Sequence, residues 1–135
     1  MKIAIAAVAD HAWVERGCLS ICRTIDTIYG KKFPHVQPRL SIALRVLVDR
    51  SEAGKHKIRI TLADYHRKKV MSADAEVNVQ LPPSGVRVSS FAFALNGQGV
   101  KFPALGEYSV DFVIDNKLET SLPLYVRSES SAKTT

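Results

Sequence analysis

The stretch from Ser20 to Leu40 contains side chains that could do chemistry: a thiol at Cys22, a carboxylate at Asp26 and an imidazole at His35. A cysteine nucleophile with a histidine base is the catalyst that these residue types could build. No sequence signature of a cysteine enzyme surrounds Cys22, and acid–base catalysis by Asp26 needs a second carboxylate or a histidine within reach. We therefore predict that the protein is not an enzyme, and keep catalysis by Cys22 and Asp26 as the third of three hypotheses.

The two cysteines, Cys18 and Cys22, do not indicate a disulfide or a metal site. On a strand they face the same side at a spacing of about 13 Å, whereas a disulfide needs Cα atoms within roughly 7 Å. Zinc would need two further ligands, and none of the four histidines has ligand spacing. We predict two small buried side chains at these positions, and no metal or other cofactor.

Basic residues are in excess, because 19 Lys and Arg against 13 Asp and Glu give a net charge of +6. This balance permits an acidic partner without requiring one. If the segment around Gly54 is a hairpin loop, Arg45 lies opposite Arg59, an unfavourable pairing unless solvent or an anion separates the charges. A solvated face is the more common explanation of such charges. Our second hypothesis is an anion-binding or nucleic-acid-binding face with these residues: Arg45, Lys57, Arg59, Arg67, Lys68 and Lys69.

Alternation of apolar and polar residues is the dominant pattern of the chain. In residues 39–49, the side chains of Leu40, Ile42, Leu44, Val46 and Val48 share one face, as in a half-buried strand. Turn signals such as "PPSG", "NGQG" and "DNK" separate the alternating runs. Pro123 falls within the last run, which places that strand at a sheet edge or breaks it. The further alternating runs are 55–65, 75–81, 89–96, 107–115 and 118–126.

A series of such strands without helical periodicity predicts an all-β protein. We expect a single-domain antiparallel β-sandwich, immunoglobulin-like, with about eight strands. The first run, residues 3–9, is apolar on both faces and fits a covered strand or a short buried helix; we favour the strand. The predicted domain covers residues 1–127, and the polar tail, residues 128–135, is predicted to be disordered.

The N-terminal apolar run, Ile3 to Ala9, is followed directly by Asp10 and His11 with no cleavage site for a signal peptide. No run elsewhere approaches the 18 apolar residues of a spanning helix. We therefore predict a cytoplasmic protein with no membrane contact.

Three blocks of the chain resemble an uncharacterised family of small bacterial proteins that is described only as a domain of unknown function. The blocks are "MKIAIAAVADHA", "GCLSICRTIDTIYGKKFP" with the following "LSIALRVLVD", and "LNGQGVKFPALGEYSVDFVIDNKLETSLPLYV". The resemblance extends nearly to Arg127. The chain has Cys22 and Ile25 where relatives tend to have glycine and phenylalanine. The resemblance implies a β-sandwich and supplies no activity.

The leading functional hypothesis is a non-catalytic binding or assembly module that acts through its surface or its edge strands. Exposed apolar residues such as Trp13, Leu47 and Tyr125 are the predicted contacts for an unknown protein partner, and an edge strand offers a route to a homo-oligomer. We interpret the carboxylate of Asp26 as an acceptor for backbone N–H groups of the following turn. The residues predicted to be structural hallmarks are Asp26, Phe33, Pro34, Gly106 and Tyr108.

Overall fold

The computed structural model describes residues 1–131, and the statements below refer to these residues. They form nine strands and two short 3-10 helices, Arg50–Glu52 and Glu129–Ser131. The strands are β1 Lys2–Glu15, β2 Cys18–Thr24, β3 Thr27–Gly30, β4 His35–Asp49, β5 Gly54–Asp64, β6 Lys69–Val79, β7 Val88–Phe102, β8 Gly106–Ile114 and β9 Lys117–Ser128.

The nine strands form two sheets, which confirms the predicted all-β sandwich. Sheet A has the order β2-β1-β4-β7, and sheet B has the order β3-β9-β8-β5-β6. The apolar faces of the two sheets share one core, to which Leu44 contributes from sheet A and Phe112 from sheet B, both with no exposed surface. The count of nine exceeds the expected number of about eight, and β3 pairs with β9 in parallel, so the sandwich is not entirely antiparallel.

The extra strand arises between Ser20 and Tyr29, a segment rich in β-branched residues that by sequence predicts one continuous strand. In the structure, β2 ends at Thr24 and β3 begins at Thr27. The amide of Ile25 donates to Val8 O in sheet A, and Asp26 O accepts from the amide of Tyr125 in sheet B. The dipeptide Ile25–Asp26 therefore carries the chain from one sheet to the other, and the prediction of one strand is wrong.

The β1–β2 hairpin folds back over the outer face of sheet A. Its two-residue turn, Arg16–Gly17, has positive φ at both positions, as in the tight turns that suit hairpins. The carbonyl of Gly17 accepts a hydrogen bond of 2.6 Å from Arg45 Nη2 on β4. Small residues on this face let two backbones approach closely, and Ala9 and Ala43 are fully buried although they point away from the core between the sheets.

Tyr108 joins the start of β8 to the connection before it. Its hydroxyl donates to Ala104 O at 2.7 Å, and its ring meets the edge of Phe102 at 5.1 Å. Burial raises the pKa of this hydroxyl. A tyrosine bonded to backbone a few residues upstream, and the sheet orders β1-β4-β7 and β5-β8-β9, also occur in immunoglobulin sandwiches. The immunoglobulin-like subclass stays a prediction.

The predicted tail begins with ordered residues. Ser128 closes β9, and the 3-10 helix Glu129–Ser131 follows it. The rest of the predicted tail, 132–135, lies outside the described residues. In residues 1–131, no helix has the length and apolar character needed to cross a membrane.

Candidate functional site

The six predicted basic residues do not share one face. Strand β4 pairs with β1 and β7, whereas β5 pairs with β6 and β8. Arg45 therefore lies on sheet A, and Arg59 lies on sheet B opposite Asp74. The predicted pairing of Arg45 with Arg59 is wrong, because the chain crosses between the sheets after β4 instead of forming a hairpin.

The outer face of sheet B combines cations with carboxylates. Arg59 Nε lies 2.7 Å from Asp74 Oδ1, and Lys57 is the cross-strand partner of Glu76. Arg67 Nη1 lies 3.4 Å from Asp111 Oδ2. Lys57, Arg59, Asp74 and Glu76 line a cleft of about 390 Å³ whose charges largely balance, so this face lacks a net positive field.

A second group of basic residues lies at one end of the sandwich. Strand pairing brings three connections to that end: residues 31–34 between β3 and β4, residues 65–68 between β5 and β6, and residues 103–105 between β7 and β8. We call this end the basic loop end. Besides Arg67 and Arg127, its cations are five exposed lysines that form no ion pair within residues 1–131: Lys31, Lys32, Lys68, Lys69 and Lys101.

Three of these lysines line one cleft of about 140 Å³, together with Asp64, Val70 and Pro103. The cleft lies between the β5–β6 turn and the end of β7. Asp64 orders the turn, since its Oδ1 accepts from the amides of His66 and Lys68 at 2.9 and 2.8 Å. The cleft can therefore hold an anion against ammonium groups whose backbone is fixed. Its lysines are Lys68, Lys69 and Lys101.

A neighbouring cleft of about 440 Å³ is lined by Tyr29, Lys31, Lys32, His35 and Glu129, among others. Glu129 contributes one carboxylate against the two ammonium groups. Sequence reasoning found Lys68 and Lys69 but missed Lys31, Lys32 and Lys101. The signal was present in the loop sequences, yet only the topology shows that these loops meet at one end.

The thiols are exposed at both Cys18 and Cys22, so the prediction of buried cysteines is wrong. Both lie on the outward side of the β1–β2 hairpin. Cys22 is the cross-strand partner of His11, whose ring stacks 5.0 Å from that of Trp13. In residues 1–131, no hydrogen bond joins either thiol to a base, and no group of three metal-binding side chains occurs.

Asp26 is exposed at the crossing between the sheets. Its Oδ1 accepts from Thr27 Oγ1 at 2.9 Å, and its backbone carbonyl accepts from Tyr125. The predicted bonds from backbone N–H groups to its carboxylate are therefore absent from the described residues. Its cleft, about 490 Å³, is shared with Arg23 and Tyr29.

The other predicted hallmark residues lie near the basic loop end. Phe33 is half-buried and packs against the core, and Pro34 is exposed beside it after a cis peptide bond. Gly106 begins β8 with φ of +144°, a backbone conformation that favours glycine. Of the apolar residues predicted as partner contacts, Trp13 is exposed, whereas Leu47 and Tyr125 are half-buried.

The opposite end of the sandwich contains an ionic network that sequence reasoning missed. His56 Nδ1 lies 2.6 Å from Asp115 Oδ2, its Nε2 contacts Glu52 O, and Asp115 Oδ1 accepts from the Lys57 amide at 2.9 Å. The N-terminal ammonium of Met1 lies 2.8 Å from Glu52 Oε2. We call this end the paired end.

The network shifts the pKa of three of its groups, His56, Asp115 and Glu52. The hydrogen bond to Asp115 raises the pKa of His56, because both ring nitrogens face acceptors and only the protonated ring donates to both. Burial opposes ionisation of Asp115, but bonds from His56 and the Lys57 amide together lower its pKa. The N-terminal ammonium lowers the pKa of Glu52.

The fold defines the chain as an all-β, two-sheet sandwich protein. It belongs to a family of unknown function (DUF6941), whose sequence profile matches residues 4–127. This confirms the resemblance to an uncharacterised family. No curated protein matches the chain.

A solved structure that resembles the chain is a glycosyl hydrolase family 2 (GH2) member from Bacteroides cellulosilyticus DSM 14838. The match is 13% identical, covers 69% of this chain and 13% of that chain, and has a TM-score of 0.42. The match thus spans a small part of the glycosyl hydrolase, and nothing about activity follows from it.

Proposed function

We propose that the protein is a non-catalytic assembly module that pairs with a second copy of itself along the free edge of strand β7. The observation that carries the proposal is the composition of this edge. Strand β7 has β4 as its one sheet neighbour among the described residues. From Val88 to Val100 it contains no charged residue and no proline, the two devices by which proteins commonly protect an edge strand from pairing.

The other edge strands contrast with β7. Strand β6 has the same kind of position in sheet B but contains Lys69, Asp74 and Glu76. Strand β3 has four residues, and β2 contains Arg23, whose φ of +62° interrupts a regular edge. In an antiparallel pair of identical strands, a charge near the two-fold axis meets its own copy. Strand β7 is therefore the edge best suited to a symmetric pair.

The inner side of β7 supports the same interpretation. Phe91, Phe93 and Leu95 pack against the core but are only half-buried. Strands β6 and β7 approach closely at Gly97, where a Cβ atom would lie 2.8 Å from Met71 Sδ. A second copy at this edge would cover the apolar surface that Phe91, Phe93 and Leu95 leave exposed.

The test is the oligomeric state of matched charge variants. Size-exclusion chromatography with light scattering should show a dimer of the wild-type chain that Ser90→Lys with Gln98→Lys converts to a monomer. The control, Ser72→Lys with Asn78→Lys on β6, adds the same charge at exposed positions and should remain dimeric. A wild-type monomer at high concentration, or equal loss of dimer in both variants, contradicts the proposal.

The proposal that the protein is non-catalytic can be tested separately, since Cys18 and Cys22 are both exposed on one strand. Iodoacetamide should label the two thiols at similar rates, with Cys18 as the internal control. A much faster reaction at Cys22 alone would indicate an activated nucleophile and would revive the hypothesis that Cys22 and Asp26 are catalytic.

A further inference from the structure

We infer that the basic loop end binds single-stranded nucleic acid, with backbone phosphates at the two lysine clefts and bases stacked on the tyrosines beside them. This binding is argued independently of the proposed assembly, because strand β7 contributes to it only through Lys101, which lies beyond the proposed edge segment Val88 to Val100. It revises the hypothesis of a basic sheet face. The cations that lie beside carboxylates are removed from the predicted binding residues, and further lysines at the basic loop end are added.

The first step concerns charge. Arg59 and Arg67 each lie beside a carboxylate, whereas the five lysines of the basic loop end have no ion-pair partner in residues 1–131. Two carboxylates line the clefts, those of Asp64 and Glu129. Asp64 already accepts two backbone amides through Oδ1. The balance at this end is positive, which is the electrostatic condition for binding a phosphate backbone.

The second step concerns the exposed rings. Tyr65 is 79% exposed at the tip of the β5–β6 turn, and the ring of His66 meets it edge-on at 5.8 Å. Tyr29 is 44% exposed where the chain enters the β3–β4 connection. The side chain of Tyr29 lies on the outward side of β3, and Tyr65 lies in a turn, so both rings are accessible from solvent. Stacking of bases on such rings tolerates any sequence.

The third step is that a tyrosine precedes a lysine pair by a few residues in both segments. Tyr29 is followed by Lys31 and Lys32, and Tyr65 is followed by Lys68 and Lys69. An aromatic platform beside a pair of ammonium groups matches the alternation of base and phosphate along a single strand. This match favours nucleic acid, and because tyrosines also occur at membrane interfaces, the vesicle measurement below separates a lipid surface from it.

The experiment compares two triple variants of the full chain. Lys68→Glu with Lys69→Glu and Lys101→Glu reverses the charge of one cleft. The control, Lys2→Glu with Lys55→Glu and Lys117→Glu, makes the same change at exposed positions near the opposite end. Fluorescence anisotropy with a labelled oligothymidylate at low salt should show at least about a 10-fold loss of affinity for the cleft variant. The control should keep most of its affinity, and circular dichroism checks both folds.

Two further measurements separate specific binding from general charge. The slope of log affinity against log salt should decrease by about 2 in the cleft variant, since each phosphate contact on a single strand contributes roughly 0.7. Tyr65→Ala should weaken binding about 10-fold, whereas Tyr65→Phe, which keeps the ring, should preserve it.

Three results would overturn the inference. One is the absence of oligonucleotide binding by the wild-type chain at low salt. Another is an equal loss in the cleft and control variants, which would mean that net charge alone is responsible. The last is binding to phosphatidylserine vesicles without binding to the oligonucleotide, which would assign the basic loop end to a lipid surface instead.

Discussion

The two ends of the sandwich use charge in opposite ways. At the paired end, Met1, Glu52, His56 and Asp115 are joined by short polar contacts within the chain. At the basic loop end, five lysines have no ion-pair partner in the described residues. Charges that pair with one another contribute to the stability of the fold. Unpaired charges of one sign repel each other, and this repulsion is relieved only when a ligand of opposite charge binds.

Variants at the two ends should therefore differ in whether they change stability or ligand binding. Changes at the paired end should alter the free energy of unfolding and leave ligand binding intact. Changes at the basic loop end should do the reverse. Four measurements follow, beginning with the largest expected effect on stability.

Arg50→Ala should be the most destabilising of these changes. Its Nη1 donates to Pro82 O at 2.7 Å, Pro83 O at 3.0 Å and Val86 O at 3.4 Å, and so fastens the β6–β7 connection. Loss of bonds from a charged donor should cost about 2 kcal/mol in urea unfolding. Arg87→Ala in the same connection is the matched control and should change stability by less than about 0.5 kcal/mol. Equal costs would show that the bonds of Arg50 do not hold this loop.

The His56–Asp115 contact should contribute less, because Asp115 is partly exposed to solvent. His56→Ala and Asp115→Asn should each cost about 1 kcal/mol. The double variant should cost less than the sum of the two, since the members of a contact are not independent. A fully additive cycle would argue against a direct interaction between them.

The same contact should give the melting temperature a pH dependence. Because the folded pKa of His56 is raised above its ordinary 6.5, its contribution is full below that pH and is lost as the pH rises through the folded value. Because the folded pKa of Asp115 is lowered below 3.8, its contribution is present above that pH and lost as the pH falls. Stability from the pair should peak between about pH 4 and pH 6.5.

Asp115→Asn should flatten this profile in calorimetric scans. His66→Gln is the control, because no ion pair joins the exposed ring of His66 to a carboxylate in the described residues, and it should leave the profile unchanged. A profile that stays the same in Asp115→Asn would place the dependence elsewhere.

The smallest effect on stability is expected at the basic loop end. Lys68→Ala with Lys69→Ala and Lys101→Ala should shift the free energy of unfolding by less than about 0.5 kcal/mol. Relief of repulsion among the three ammonium groups even favours a slight gain. A large loss in chemical denaturation would mean that these lysines are structural and that the contrast between the ends is mistaken.

Alternation identified most strands from sequence because burial on one face imposes period two on each of them. The crossing at Ile25–Asp26 was missed, although the less exposed side changes there from odd positions, such as Ile21 and Ile25, to even ones, such as Ile28 and Gly30. Alternation also could not assign sheet partners, so Arg45 was matched with Arg59. Alternation along single strands also cannot predict that the β1–β2 hairpin folds over the outer face of sheet A and buries Ala9 and Ala43. Nor could it show that Cys22 faces solvent.

For the candidate site as well, sequence reasoning identified residues that are adjacent in the chain and missed those that only the fold brings together. Lys68 and Lys69 could be identified because they are consecutive in one turn. Lys101 and Lys31 are distant in sequence and become neighbours only when strands β3, β5 and β7 all end at the same place. The paired end was missed because its contact between His56 and Asp115 joins strand β5 to the turn between β8 and β9, which are distant in sequence.

The pairing of strand β3 also constrains the order in which the strands can assemble during synthesis. Strand β3 leaves the ribosome early, yet its partner β9 is the last strand of the described residues. Strand β1 can pair with β2 and β4 as soon as they emerge, but β3 must wait until β9 has been made. Such distant pairings make folding slow. A nascent chain that stalls before Tyr125 would leave Ile28 without its cover, and such a strand invites intermolecular pairing before release.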